Sequence, residues 1–211
     1  LGIDKLYDQT YLLMADLFER TGQAGRLQPL LEQGVEVFSQ AGFNNLAAQL
    51  LSYLSVAQAR QGDLPGAVAT NERLLELVPG NVGALRNLAI LARDQGQYDV
   101  ARSWLDQAFA LAGQDITELK GLYQLSAEIY QSEGNMEQVI AQYEQMRQLD
   151  PNDPAVLATL SAFYASMQDD AKVIEISQQL MQLDPQNYQY PLALAEALAR
   201  QQRAAEALPY A

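Results

Sequence analysis

The chain has no cysteine and no histidine. The first absence removes disulfides, thiolate nucleophiles and zinc–thiolate sites, and it fits a reducing or an oxidising compartment equally well. The second removes the commonest metal ligand and the commonest general base, so most hydrolytic constellations cannot be assembled. Basic residues are scarce: 13 Lys plus Arg face 26 Asp plus Glu, a formal net charge of −13. That charge repels phosphate backbones and anionic headgroups, so nucleic acid and membrane surfaces are not expected partners, whereas basic peptides or proteins fit. Long apolar runs are missing too. No stretch of about 18 apolar residues occurs, so no membrane insertion by these residues is expected. There is no phosphate-cradling Gly-rich loop followed by Lys and no Gly-x-Ser-x-Gly elbow. No cofactor, no metal and no enzyme are therefore expected within these residues.

What the sequence does have is a period. Leu149-Asp150-Pro151-Asn152-Asp153 recurs as Leu183-Asp184-Pro185-Gln186-Asn187, 34 residues later, and Leu77-Val78-Pro79-Gly80-Asn81 lies upstream. A fixed spacing in this range signals stacked supersecondary units rather than one closed core. A 34-residue frame places copies at 48–81, 82–115, 120–153 and 154–187, a truncated copy at 188–211 and a degenerate one at 8–41. Residues 1–211 then form one array. Residues 42–47 and 116–119 are left over and are best placed in turns between units, where added length costs little, although both can lengthen a helix instead.

Within each frame the eighth residue is small: Ala15, Ser55, Ala89, Ala127, Ser161 and Ala195. A breaker follows near position fifteen, as Gly22, Gly62, Gly96, Gly134, Gln168 and Gln202. There a helix must end and reverse. Position twenty carries Leu27, Ala67, Ala101, Val139, Val173 and Ala207 on the inner face of a second helix, whose outer stripe continues through position thirty as Val37, Leu77, Leu111, Leu149 and Leu183. Each unit reads as helix, short turn, antiparallel helix. A plain helical bundle shares the 3.6-residue signal, but it has no reason to repeat Gly, small and Leu positions in one register.

Here the chain resembles the tetratricopeptide repeat family. Leu85, Leu88, Ala89, Gly96, Tyr98, Ala101, Leu105, Ala108 and Leu111 fall on that family's signature positions, and Pro79, Pro151 and Pro185 match its closing proline. Departures are Leu27 and Gly34 where small alanines are usual, Gly113 in place of the closing proline, and Pro191 at an aromatic position. Pro191 and Pro65 are both expected in a first helical turn, where a missing amide donor is harmless. The resemblance implies an all-α fold, a right-handed superhelical solenoid of stacked antiparallel helix pairs. It also implies that the first helix of each pair lines a concave groove.

On that basis the protein-binding groove is expected at Tyr53, Arg60, Arg86, Asn87, Arg93, Gln124 and Glu128. The arginines beside Tyr53 can grip a carboxylate or polar peptide through forked guanidinium bonds, or be ordinary surface charges paired with Asp94 or Glu128. Some family members hold chaperone C-termini in a Lys and Asn clamp. That role does not carry over, because Ser52, Val56, Gln124 and Glu128 stand at the flanking positions. The later groove, with Ala155, Ala158, Thr159, Ala162 and Ala165, is blander. Asp169-Asp170 and the scattered Glu72, Glu76 and Glu137 read as solvated helix faces, since no loop gathers their oxygens. Trp104 is expected to be buried between hairpins.

The functional expectation is a non-catalytic scaffold that binds a peptide or protein segment in the groove. The alternative is an accessory repeat domain of a larger membrane-associated or envelope/glycan-assembly protein. The chain opens at Leu1 and stops at Ala211 within a helical stretch, so it is expected to be a piece of a longer protein, with an uncovered end that favours end-to-end self-association. Ten Arg against three Lys looks bacterial. The sequence leaves the compartment open, with cytoplasm slightly favoured over an extracytoplasmic domain of an anchored protein.

Overall fold

The computed structural model describes Thr10, Tyr11, Leu13, Met14, Leu17, Phe18, Arg20, Thr21 and residues 24–210. The expectations for Ala15 and Gly22 lie outside these. The described residues contain eleven α-helices: α1 Ala24–Gln40, α2 Asn44–Arg60, α3 Leu64–Leu77, α4 Val82–Asp94, α5 Tyr98–Ala112, α6 Ile116–Ser132, α7 Met136–Leu149, α8 Pro154–Ser166, α9 Asp170–Leu183, α10 Gln189–Arg200 and α11 Ala204–Ala207. They fall into two compact units, residues 1–113 and 114–211. Within each unit every helix packs on its neighbours in sequence.

The reversals inside the pairs share one device. Gly62, Gly96 and Gly134 adopt φ of 82°, 72° and 76°, in the left-handed region. Gln168 and Gln202 occupy the same place at 59° and 61° despite carrying side chains. In all five turns the next amide donates back across the helix end, as Asp63 N to Gln58 O at 2.9 Å and Asp169 N to Tyr164 O at 2.9 Å. This bond satisfies a carbonyl that the ended helix leaves open. Asp63, Asn135 and Asp169 then cap the second helix, accepting from the amides of Gly66, Gln138 and Lys172.

The closing turns repeat as closely. Val78, Asp150 and Asp184, each preceding a proline, share φ near −140° and ψ of 82°, 88° and 83°. Proline excludes its predecessor from the α region, so the helix stops there. Asn81 and Asp153 open the next helix by accepting from its first amides. Where Gly113 replaces the proline, the chain instead turns at φ 62°.

The small eighth position and position twenty are buried as expected: Ser55, Ala89, Ala127, Ser161 and Ala195, with Leu27, Ala67, Ala101, Val139, Val173 and Ala207. Position thirty, read from the sequence as an outer stripe, is not enclosed. Val37, Leu111 and Leu183 are exposed, while Leu77 and Leu149 are half-buried. The buried residue of the second helix is three positions earlier, at Leu74, Ala108, Met146 and Leu180. At roughly 100° per residue, seven residues beyond position twenty return to nearly the same face, whereas ten land roughly 80° away. The left-over segments resolve too. Residues 44–47 and 116–119 lie in helices, so α2 and α6 have 17 residues against 13 in α4 and α8. Four residues exceed one turn only slightly, so the apolar stripe stays in phase. Trp104 is half-buried rather than enclosed.

Candidate protein-interaction surface

In the first unit, α2 and α4 bound a hollow of about 220 Å³ walled by Val56, Ala59, Ile90 and Leu91, with Ser55, Arg60 and Asn87 completing it. Beside it a second depression of about 340 Å³ runs over Gln49, Ser52, Tyr53, Val56 and Arg60. Tyr53, Arg60 and Asn87 are therefore brought together, with Arg60 shared by both depressions. Arg86 and Arg93 ride the same helix as Asn87 without lining either one. Arg93 lies on Asp94, its Nε 3.0 Å from Oδ1, which is one of the surface pairings expected from the sequence.

The local charge opposes that of the chain. Helix α2 has Arg60 and no acidic residue, and α4 has Arg86 and Arg93 against Asp94 alone. Basic residues thus outnumber acidic ones on these two helices, in a protein of net −13. The field near a surface follows the nearest charges within a Debye length of about 10 Å, so the total charge alone does not set the field at these helices.

Beneath the hollow lies a polar network that sequence reasoning missed. Asn71 of α3, wholly buried, donates through Nδ2 to Ser55 Oγ and to Ala67 O at 2.9 Å. Its Oδ1 accepts from Asn87 Nδ2 at 3.4 Å. Thr70 Oγ1 donates to Gln58 Oε1 at 2.7 Å nearby. Buried amides persist only when their partners are met, so this set fixes the register of α2, α3 and α4 and the orientation of Asn87. The available signal was Asn71 itself, at a frame position where two other copies carry the buried Leu31 and Leu105 and two more carry Tyr143 and Ser177.

Gln124 and Glu128 belong to the second unit, on α6. Gln124 is exposed and helps line a hollow of about 400 Å³ with Lys120, Tyr143, Asp153, Ala155 and Thr159. Lys120 Nζ bonds Asp153 and also reaches Asp150 at 3.3 Å, tying α6 to the closing turn. Asp153 is held below the usual carboxylate range, first by that bond and also by the amides of Val156 and Ala155. Lys120 is raised, chiefly by Asp153. Glu128 is half-buried and adds to the upward shift of Tyr143, which burial dominates. Further along, Tyr164 Oη donates to Glu144 at 2.7 Å and accepts from Lys172 at 2.8 Å. Asp169 is the cap of α9 and Asp170 pairs with Arg200 at 2.7 Å, so both carboxylates have structural uses.

No helix among the described residues is long and apolar enough to cross a membrane. No curated protein sequence matches the chain. A tetratricopeptide repeat family model matches residues 58–125. Among solved structures the chain is similar to pilF of Pseudomonas aeruginosa, at 14% identity and TM-score 0.64 over 96% of this chain and 88% of that one. It is similar to MamA from Desulfovibrio magneticus at 20% identity and TM-score 0.58, covering 87% and 98%. A thermophilic TPR protein of Thermus thermophilus aligns at 18% identity and TM-score 0.54, covering 91% and 99%. At these identities the likeness concerns the fold, which is typical of protein–protein interaction scaffolds and generally carries no chemistry of its own. Helix pairs, reversal turns and closing prolines agree with the matched repeat: residues 58–125 match the tetratricopeptide repeat family, and the described residues share the fold of tetratricopeptide repeat proteins.

Proposed function

We propose that this protein is a non-catalytic scaffold whose α2–α4 face, centred on Tyr53, Arg60 and Asn87, binds a segment of another protein. The observation that carries the reading is the convergence of an apolar-walled hollow with arginine on an otherwise acidic chain. Binding surfaces combine an apolar floor with a few placed polar groups, and Tyr and Arg are the side chains most often decisive in them. Arg86 and Arg93 add charge that steers a partner without filling the hollow. In the second unit, considered by itself, Gln124 lines a separate hollow that offers a further candidate surface.

Random peptides displayed on phage test the reading. Selected peptides are expected to shift the backbone amide resonances of α2 and α4 and to bind less tightly when Arg86 and Arg93 are both changed to Glu. Selection that yields no binder, or binders whose shifts fall on α3 and α5 alone, refutes it.

A further inference from the structure

The buried network under the hollow has a direction. The carbonyl of Ala67 can only accept, and it draws Asn71 Nδ2 to 2.9 Å. With that nitrogen committed to Ala67 and to Ser55 Oγ, the wholly buried Asn71 turns Oδ1 toward α4. Asn87 must then approach with its own Nδ2, and it does so at 3.4 Å. Turning the Asn87 amide over would set two acceptors against each other and leave the Asn71 carbonyl unsatisfied in the interior. The Oδ1 of Asn87 is therefore the open end of the relay. Asn87 lines the hollow, and its Oδ1 is not among the enclosed polar atoms.

Resting on the binding role proposed above, we infer that Asn71 is a positioning residue for the α2–α4 face. It holds Asn87 as an acceptor, so the bound segment meets that amide with an N–H donor rather than with a carboxylate. Asn71 itself touches no partner. Its effect passes through orientation, since an unlocked carboxamide offers oxygen or nitrogen equally well. A locked one discriminates by leaving the wrong group unpaired.

The test resynthesises the phage-selected peptides with each hydrogen-bond donor removed in turn, by N-methylation on the backbone and by Ala in the side chains. One removal should weaken binding to the parent by about fivefold to tenfold and cost nothing further in Asn87→Ala. With Ser55→Ala and Asn71→Leu together the same removal should cost under about twofold, because the amide is free to turn. Ser55→Ala alone leaves Asn71 facing Asn87 and should keep the parent's preference. Side-chain amide resonances report the lock without any peptide: one Asn87 N–H should exchange more slowly with solvent in the parent than in the double variant. Circular dichroism checks that the variants fold. The inference falls if no donor removal depends on Asn87, or if affinity depends instead on a peptide carboxylate that is felt only when Asn87 is present. It falls too if the double variant weakens binding equally with and without Asn87, or leaves Asn87 exchange unchanged. In each of these cases the binding role stands, whereas the absence of any binder on α2 and α4 removes both.

Discussion

Changing Asn71 probes the link between the buried polar network and the binding face. Its side chain is fully enclosed, gives two hydrogen bonds through Nδ2 and takes one from Asn87. Asn71→Ala removes all three and leaves a void. At about 1 kcal/mol per bond, with a further penalty for the cavity, the loss should be about 3 kcal/mol. The second arm separates bonding from volume. Replacing the buried pair, as Ser55→Ala with Asn71→Leu, mimics the buried leucines at 31 and 105 and leaves no orphaned hydroxyl, while the half-buried Asn87 amide can turn to water. Exchanging both sides of a buried bond for apolar groups is nearly neutral, so this pair should cost under about 1 kcal/mol. Urea unfolding followed by far-UV circular dichroism measures both, and amide exchange locates the loss in α2 and α3. If Asn71→Ala costs under about 1 kcal/mol, or the double variant is as damaged as the single one, the network does not hold these helices.

Other expectations follow from the turns, the stripe and the ion pair. Gly96→Ala meets no atom within 4 Å, so its cost comes from φ alone and should be about 1 kcal/mol, read as a lower urea midpoint. Gln168→Gly should not lower that midpoint, because φ 59° already strains an L-residue. Leu74→Ala, at a wholly buried site, should cost about 2–5 kcal/mol, while Leu183→Ala, at 40% exposure, should cost well under half of that in the same urea titration. A lowered folded pKa for Asp153 means its stabilisation is present above the ordinary carboxylate value and is lost as pH falls through the folded one. A raised Lys120 loses its share as pH climbs through its own folded value. The stability difference between the parent and Lys120→Met should thus be greatest between about pH 5 and 10 and shrink outside it. An unchanged difference at pH 3 would contradict the ion pair's role.

Much of the fold was legible because local chemistry repeats. Gly62, Gly96 and Gly134 marked the reversals, and Pro79, Pro151 and Pro185 marked the ends of second helices, since each residue constrains its own dihedrals. Even Gln168 and Gln202 were recognisable, by frame position rather than by propensity. What escaped depends on rotation and on contacts across helices. Position thirty, apolar in five copies, was read as an outer stripe, whereas the buried position three residues earlier, at Leu74, Ala108, Met146 and Leu180, was not singled out by counting leucines. On the α2–α4 face, the first-helix positions that the family resemblance marks pointed to Tyr53, Arg60 and Asn87, which line the two depressions there. Arg93 pairs with Asp94, one of the two alternatives that the sequence left open for these arginines. Asn71 lies on a second helix and reaches the face through Ser55 and Asn87, so no groove position pointed to it.

The longer α2 and α6 say something about how such a chain can change its length. Adding four residues at a helix start carries the entry point about 6 Å outward and rotates it by only about 40°. Downstream side chains keep their facing, and new surface is gained at the rim, where Phe43 and Ile116 now stand exposed. A two-residue insertion would swing the same entry roughly 160° the other way and misdirect the incoming loop. Growth at these sites is therefore quantised, and variation among related chains should arrive there in whole turns.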